Sequence, residues 1–167
     1  RFIWDCDGMG ALLRRDIELG LKHKEVELIE YKGSHAPDIG RATTDHLIAG
    51  DYKCEDIYKN KRAQRFTEVS RRFYNTYRAV EYNEYIHPDK LISINGKLPL
   101  LNKFRSEMCR IPRVENGAGK IQIMNKKDLK KIIKLDSPAM ADCAAMGEEP
   151  VHLKVKHNTL RFETISR

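Results

Sequence analysis

FIWDCDGMGALLRRD, residues 2–16, is the stretch on which the fold turns. Three apolar residues stop at Asp5, Cys6 and Asp7, and two glycines follow at Gly8 and Gly10. Residues 1–4 read as a strand. Residues 8 to about 21 read as a helix with Leu12, Leu13, Ile17 and Leu21 on its apolar side. Residues 25–31, EVELIEY, alternate and read as a second strand. Strand, helix, strand implies a parallel pairing and an α/β sheet. In open sheets of this kind chemistry collects at the carboxyl ends of the strands, which is where Asp5 falls. Ile3 and Trp4 would anchor that strand on its two faces. Gly8 and Gly10 would let the backbone turn sharply and keep bulk away from the carboxylate.

Two readings of the acids stand at this point. Asp5 is either a ligand for a hard divalent cation or incidental to the turn. Asp7 reads rather as an N-cap or turn residue. A dinucleotide loop is discounted: GMGALL after Asp7 lacks the third glycine, and acids at the strand end would repel a pyrophosphate. No GxxxxGK[ST] occurs, so the chain encodes no P-loop ATPase.

Farther along, KGSHAPDIG (residues 32–40) is a loop. Residues 55–85 carry the longest helical pattern, with Phe66, Val69, Phe73, Tyr77 and Val80 as one apolar stripe. A weaker helix is expected over residues 98–111, a loop over 114–119, a short strand over 120–124 and a short basic helix over 126–133. The tail, residues 151–167, alternates and is expected to hold one or two edge strands. In DSPAMADCAAMG, residues 136–147, Ser137 is a good N-cap and Pro138 a good first helical residue. The alanines make a slim helix. Asp142 falls just beyond its first turn, where the positive end of the helix favours a carboxylate. Spacing alone favours an exposed acid there, and Asp136 reads as a loop or pre-cap acid.

The 167 residues suffice for one compact domain with its own core. A net charge of +7 favours an acidic partner, nucleic acid first, beside the plainer reading of a solvated basic surface. Cys6, Cys54, Cys109 and Cys143 form no CxxC, which suits a reducing, cytosolic compartment. No signal peptide and no membrane-spanning apolar run is visible. The sequence starts at a strand without an initiator Met and is expected to belong to something longer. His23, His35, His46, His87, His152 and His157 show no HxxxH or HExxH spacing, and no metal is assigned to them. Tyr74, Tyr77, Tyr82 and Tyr85 are expected to pack in the core or at a helix edge. Met140 and Met146 are expected as core filler.

Five blocks, in order, resemble one family: FIWDCDGMGALLRRD, YKGS (31–34), YKNKRAQRF (58–66), TYRAV (76–80) and SPAMADCAAM (137–146). They are similar to the C-terminal nuclease domain of phage terminase large subunits, most of all the headful-packaging terminases of short-tailed phages. The resemblance spans residues 2–146 with gaps. It implies an RNase H-like fold, a mixed sheet flanked by helices. Three converging acids would hold Mg²⁺ or Mn²⁺, two ions in all. The implied activity is metal-dependent endonucleolytic cleavage of concatemeric viral double-stranded DNA during genome packaging. On this resemblance Asp5 and Asp142 match the second and third acids, catalytic and metal-binding. The first acid lies on an earlier hairpin, which this chain lacks, as it lacks the N-terminal ATPase half. The nuclease domain is therefore expected over residues 1–147 in partial form, beginning at an internal strand, with a tail of unknown role over 148–167. A non-catalytic DNA- or protein-docking fragment of the packaging motor is the alternative.

The chemistry explains the acids. Two hard cations about 3.5–4 Å apart can activate water and offset charge on a leaving oxygen. Hard cations take oxygen ligands. Acids crowded together repel one another when no cation is present. Around them DNA requires positive charge, for which Lys32, Lys59, Lys61, Arg62, Arg65, Arg14 and Arg15 are the candidates, with Arg71, Arg72 and Arg78 farther along the long helix. Such groups contact phosphates without reading bases. Residues 126–131, KKDLKK, read as a solvated face or a surface shared with a packaging partner. The implied partners are double-stranded DNA, the terminase ATPase domain, the small terminase subunit and the portal. The implied location is the cytoplasm of the infected bacterial host, with no membrane involved.

Overall fold

Strand β1 (Phe2–Asp5) pairs in parallel with β2 (Leu28–Tyr31), so Asp5 is the last residue of its strand and lies opposite Tyr31. The structure, a computed structural model, describes residues 1–40, 52–115 and 117–150. The edge strands expected in the tail, and His46, His152 and His157, lie outside the described residues.

The connection between the strands begins as a 3₁₀ turn, Gly8–Leu13, and becomes helix α1 only at Arg14–Gly20. The expected single helix is thus cut in two; of its supposed apolar side Leu12 and Leu13 are exposed, and Ile17 and Leu21 are half-buried. The cause lies at the glycines. Gly8 has φ +73°, which disfavours any residue with a Cβ. Gly10 lies directly over the end of β1, where a Cβ would come 1.6 Å from the Asp5 carbonyl oxygen. Its own carbonyl accepts a 3.2 Å hydrogen bond from Trp4 Nε1. The chain is folded down tightly onto β1 before a regular helix can start.

The long helical pattern is also interrupted. Helix α2 (Cys54–Ile57) ends at an extended Tyr58, and α3 (Lys61–Glu81) starts afresh. Between them Lys59 N–H donates to the Ile121 carbonyl at 2.9 Å, a bridge from the second strand pair. Asn60 then caps α3, its Oδ1 accepting from Ala63 N–H at 3.0 Å. Phe66 and Val69 of the apolar stripe are buried, and Phe73 packs on Phe104 at 6.2 Å between ring centroids. Tyr77 and Val80 are exposed, because α3 extends past the core.

Helix α4 (Leu101–Arg110) leads into the antiparallel hairpin β3 (Arg113–Glu115) and β4 (Ile121–Ile123). Sequence periodicity finds β4 but not β3, which is only three residues long. Helix α5 (Lys126–Asp128) runs into a π-helical turn, Leu129–Ile133, and α6 (Ala139–Met146) follows. Ser137 does not cap α6. Instead buried Glu107 of α4 reaches across and accepts from Ala141 N–H at 3.0 Å. Ala141 and Ala145 have no exposed surface to speak of and pack with Tyr58, Ala63, Phe66 and Ile123 into one core cluster. The slim helix is therefore what lets α6 approach α3 and β4.

The architecture is α/β. The described residues form two separate two-stranded sheets rather than the single mixed sheet expected. The chain also stays attached beyond residue 147, where the tail was expected to begin. Glu148 accepts from Arg72 Nε at 2.8 Å, and Glu149 from Arg65 Nε at 3.1 Å. Arg1 donates to the carbonyls of Glu149 and Pro150 at 3.0 and 3.1 Å, tying the two ends of the described chain together. No helix among the described residues is long and apolar enough to cross a membrane.

Candidate active site

A cleft of about 370 Å³ opens where the ends of β1 and β2, the start of α3, the β4–α5 turn and α6 meet. Asp5, Tyr31, Arg62, Asn125, Lys126 and Asp142 are among the residues lining it. The two acids singled out in the sequence come together here by two unrelated routes. Asp5 arrives on the strand end, and Asp142 on the first turn of α6, which the alanine contacts press against the core.

Each carboxylate uses one oxygen to hold itself and turns the other to the same cation. Asp5 Oδ1 accepts from the Asp7 backbone N–H at 2.9 Å, while its Oδ2 lies 3.7 Å from Lys126 Nζ. Asp142 Oδ1 accepts from Arg62 Nε at 3.2 Å and Nη2 at 3.1 Å, while its Oδ2 lies 3.1 Å from the same Lys126 Nζ. The Asp142 side chain is 15% exposed and that of Asp5 41%, so the first is set in the wall and the second at the mouth. Arg62 is itself fixed: Nη1 donates to the Met124 carbonyl at 3.2 Å, and the guanidinium lies 4.8 Å from the Phe66 ring centroid. The repulsion expected between crowded acids is answered by these two cations.

The Asp7 carboxylate takes no part in the pair. It sits at the N-cap of the 3₁₀ turn without capping it. Its carboxylate accepts instead from Ser34 N–H at 3.0 Å and Ser34 Oγ at 2.7 Å. It is a turn residue, tying the end of β1 to the loop after β2. Among the described residues no three His, Cys, Asp or Glu side chains gather as a set of metal ligands.

Two observations bear on whether a divalent cation fits the cleft. The first is the donor set, two carboxylate oxygens converging on a point now held by an ammonium, which is the chemistry of a hard cation. The second is Tyr31, whose buried hydroxyl has no hydrogen-bond partner among the described residues. Burial pushes its pKa up, against the charges of Arg62 and Arg65, so the group remains a neutral donor. An unpaired buried hydroxyl costs stability unless water or a ligand reaches it, and a hydrated cation would supply that partner. The residues fit the group.

Sequence reasoning missed Lys126, which was read as part of a solvated lysine run. Nothing in the spacing separates it from Lys127. Its role comes from Asn125, which caps α5 by accepting from Asp128 N–H at 2.9 Å and so aims the first turn at the cleft.

The expected DNA contacts fare differently from one another. Arg65 is corrected outright: it is 2% exposed and bonded to Asp38, Glu68 and Glu149, so no phosphate can reach it. These acids hold it firmly protonated against the opposing effect of burial. Arg62 is corrected too, since its donors serve Asp142 and Met124. Lys61 is paired with Asp38 at 3.3 Å and Glu149 at 3.5 Å. Arg14 is paired with Glu18 and Glu30, and Lys32 with Glu30. Lys59 and Arg15 are exposed. Farther along α3, Arg71 is buried, Arg72 bonds Glu148, and Arg78 bonds Glu84. None of the four tyrosines enters the core, and Tyr85 is 90% exposed; Tyr74, Tyr77 and Tyr82 pack on one another at the end of α3, with ring centroids 6.2 and 5.7 Å apart.

No protein-family model matches the sequence, and no curated protein does. Solved structures do. The chain is similar to the nuclease domain of the large terminase subunit gp2 of bacterial virus Sf6, with TM-score 0.79 and 31% identity, over 89% of this chain and 65% of that one. A mutant of that nuclease domain, with manganese and beta-thujaplicinol, matches with TM-score 0.78 and 32% identity over the same shares. The same mutant, as gp2c of the large terminase subunit from bacteriophage Sf6 with calcium, matches with TM-score 0.74 and 32% identity, over 89% of this chain and 64% of that one. The chain thus spans just under two thirds of the length of the domains it matches.

Proposed function

We propose that this chain, with the fold of a phage large-terminase nuclease domain, is the metal-holding part of a DNA endonuclease. The observation that carries the reading is the convergence of Asp5 Oδ2 and Asp142 Oδ2 on one positive charge in the cleft. In this reading the two acids hold Mg²⁺ or Mn²⁺ in place of the Lys126 ammonium. A divalent cation there supplies the Lewis acidity for phosphodiester hydrolysis.

The chain's own groups do the rest. Arg62 presents Asp142 with Oδ1 occupied and Oδ2 free for the cleft. The Asp7 N–H does the same for Asp5. Lys126, with its side chain 48% exposed, neutralises the pair when no metal is bound and has room to withdraw into solvent. Tyr31 offers a neutral hydroxyl to water or substrate at the back of the cleft. No side chain serves as nucleophile.

Two carboxylates with one free oxygen each provide for one ion. A second ion, and the two-metal mechanism, need a third acid, which we assign to polypeptide outside this sequence. The same polypeptide would complete an RNase H-like mixed sheet beside β1. The substrate is then concatemeric viral double-stranded DNA, cut during packaging in the host cytoplasm. The ATPase domain, the small terminase subunit and the portal would be neighbours in the motor.

The second reading, a docking fragment without catalysis, is favoured by the gathering of only two acids among the described residues. One experiment separates the two. Mn²⁺ binding is measured by calorimetry and nicking of supercoiled plasmid by gel, for the parent chain, Asp5→Ala and Asp142→Ala. The nuclease reading expects Mn²⁺ binding in the parent and in neither variant, and any nicking by the parent to be lost in both. Nicking that survives both substitutions sinks it. DNA retention with neither Mn²⁺ binding nor nicking establishes the docking fragment.

A further inference from the structure

We infer that the lysine-bearing segment formed by α5 and the π-helical turn is the surface that grips the phosphate backbone of duplex DNA, in place of the start of α3. The inference takes the identity of the polyanion from the nuclease reading; its location rests on charge and placement.

The chain carries +7, yet the cations at the start of α3 are already committed. Lys61, Arg62 and Arg65 all pair with Asp38, Asp142, Glu68 or Glu149. Each such pair must be broken or shared before a phosphate can be bound, so the patch offers little net field. The excess positive charge lies elsewhere.

Residues 126–134 hold five lysines and one acid. All five lysines are exposed. The one acid, Asp128, is occupied locally: Asn125 Nδ2 donates to its Oδ2 at 2.6 Å. Lys130 pairs with Asp136 at 3.7 Å, but both side chains are more than three-quarters exposed, and such pairs are weak and easily exchanged for phosphate. The segment is also rigid enough to act as a surface. Leu129 is fully buried beneath it, Leu135 N–H donates back to the Leu129 carbonyl at 3.1 Å, and Arg110 Nη2 donates to the Ile133 carbonyl at 2.7 Å. Its placement supplies the last step. The first lysine of the run, Lys126, reaches Asp5 and Asp142, so Lys127, Lys130 and Lys131 follow directly from the rim of the cleft. A duplex held there by its backbone presents a phosphodiester to the two acids. Contacts of this kind carry no sequence preference.

The test uses the full chain with EDTA and a fluorescein-labelled 30-base-pair duplex, by anisotropy from about 50 to 200 mM salt. The parent is compared with the triple variant Lys127→Gln/Lys130→Gln/Lys131→Gln and the control Lys32→Gln/Lys59→Gln/Arg15→Gln. Urea midpoints check that all three fold. The triple variant is expected to weaken binding and to flatten the log–log salt slope by about 0.9 per lysine, while the control keeps most of both. An unchanged slope in the triple variant overturns the inference, as does a control that loses more than the triple. A parent that ignores the duplex at low salt also overturns it and leaves the segment to an acidic protein. A parent that binds through these lysines but takes up no Mn²⁺ in the calorimetry above sinks the nuclease reading and leaves this one standing.

Discussion

Asp5 and Asp142, at opposite ends of the described chain, each have one carboxylate oxygen within 3.7 Å of the same ammonium, Lys126 Nζ. Neither oxygen has another partner among the described residues, whereas the second oxygen of each acid is bonded to the protein. The ammonium therefore occupies the point that a divalent cation would need. Lys126→Ala removes the competitor and leaves two repelling acids. Mn²⁺ affinity is expected to rise about tenfold, or about 1.4 kcal/mol, by calorimetry. Equal affinity in the two proteins would show that the lysine does not compete.

Arg62 was expected on DNA and is found behind Asp142. Its removal leaves a largely buried carboxylate with Lys126 alone, and strips a ring contact from Phe66. Arg62→Ala is expected to lower stability by about 1–3 kcal/mol in urea. Arg62→Lys keeps the charge but cannot reach Asp142 with two donors and Met124 with a third, so it recovers only part. Full recovery in the lysine variant would show that charge alone, and not the fork geometry, holds Asp142.

Gly10 has no room for a Cβ, which would meet the Asp5 carbonyl at 1.6 Å. The blocking atom is backbone, so no rotamer change relieves it. Gly10→Ala must lift the 3₁₀ turn off β1 or distort the strand end. The expected loss is about 3 kcal/mol, at the upper end for overpacking, with a matching fall in the urea midpoint. Mn²⁺ binding should weaken with it, since the displaced residue carries the carboxylate proposed to hold the metal. A midpoint within error of the parent would contradict the contact.

Asp38 links the loop after β2 to Arg65 and Lys61. Burial raises its pKa, but the charge and hydrogen bond of Arg65, then those of Lys61, outweigh burial and hold it below the ordinary value of 3.8. A carboxylate depressed in the folded state contributes stability above its unfolded pKa and loses it as pH falls through the folded value. Stability should therefore drop below about pH 4. Asp38→Asn should be less stable than the parent near neutrality and fall less steeply on the acid side, in urea titrations at successive pH values. Parallel acid limbs would show that Asp38 is not a linked group.

Much of the local structure was legible in the chain. β1 and β2 showed as apolar and alternating runs, and their parallel pairing followed from the helix between them. The alanines of residues 139–145 marked a slim α6. The limits of periodicity appear at Tyr77 and the neighbouring tyrosines, where an apolar stripe continues along the helix after the core has ended. They appear again at residues 58–60, where one bridge to Ile121 breaks a helix that propensity alone would continue. β3 was too short to register.

The sequence by itself determined where the chain turns and which two acids stand at the end of an element, because glycine conformation, caps and apolar spacing act over a few residues. Which cations belong to those acids and which face outward was decided only by tertiary packing. Lys126 and Lys127 are chemically identical neighbours, yet one enters the cleft and the other faces solvent. Arg65 and Lys59 share one basic block, yet one is buried among three carboxylates and the other is exposed. Coulombic partners are set by distance through space, and a linear chain does not encode that distance until the core has placed α3, α5 and α6 around the strand ends.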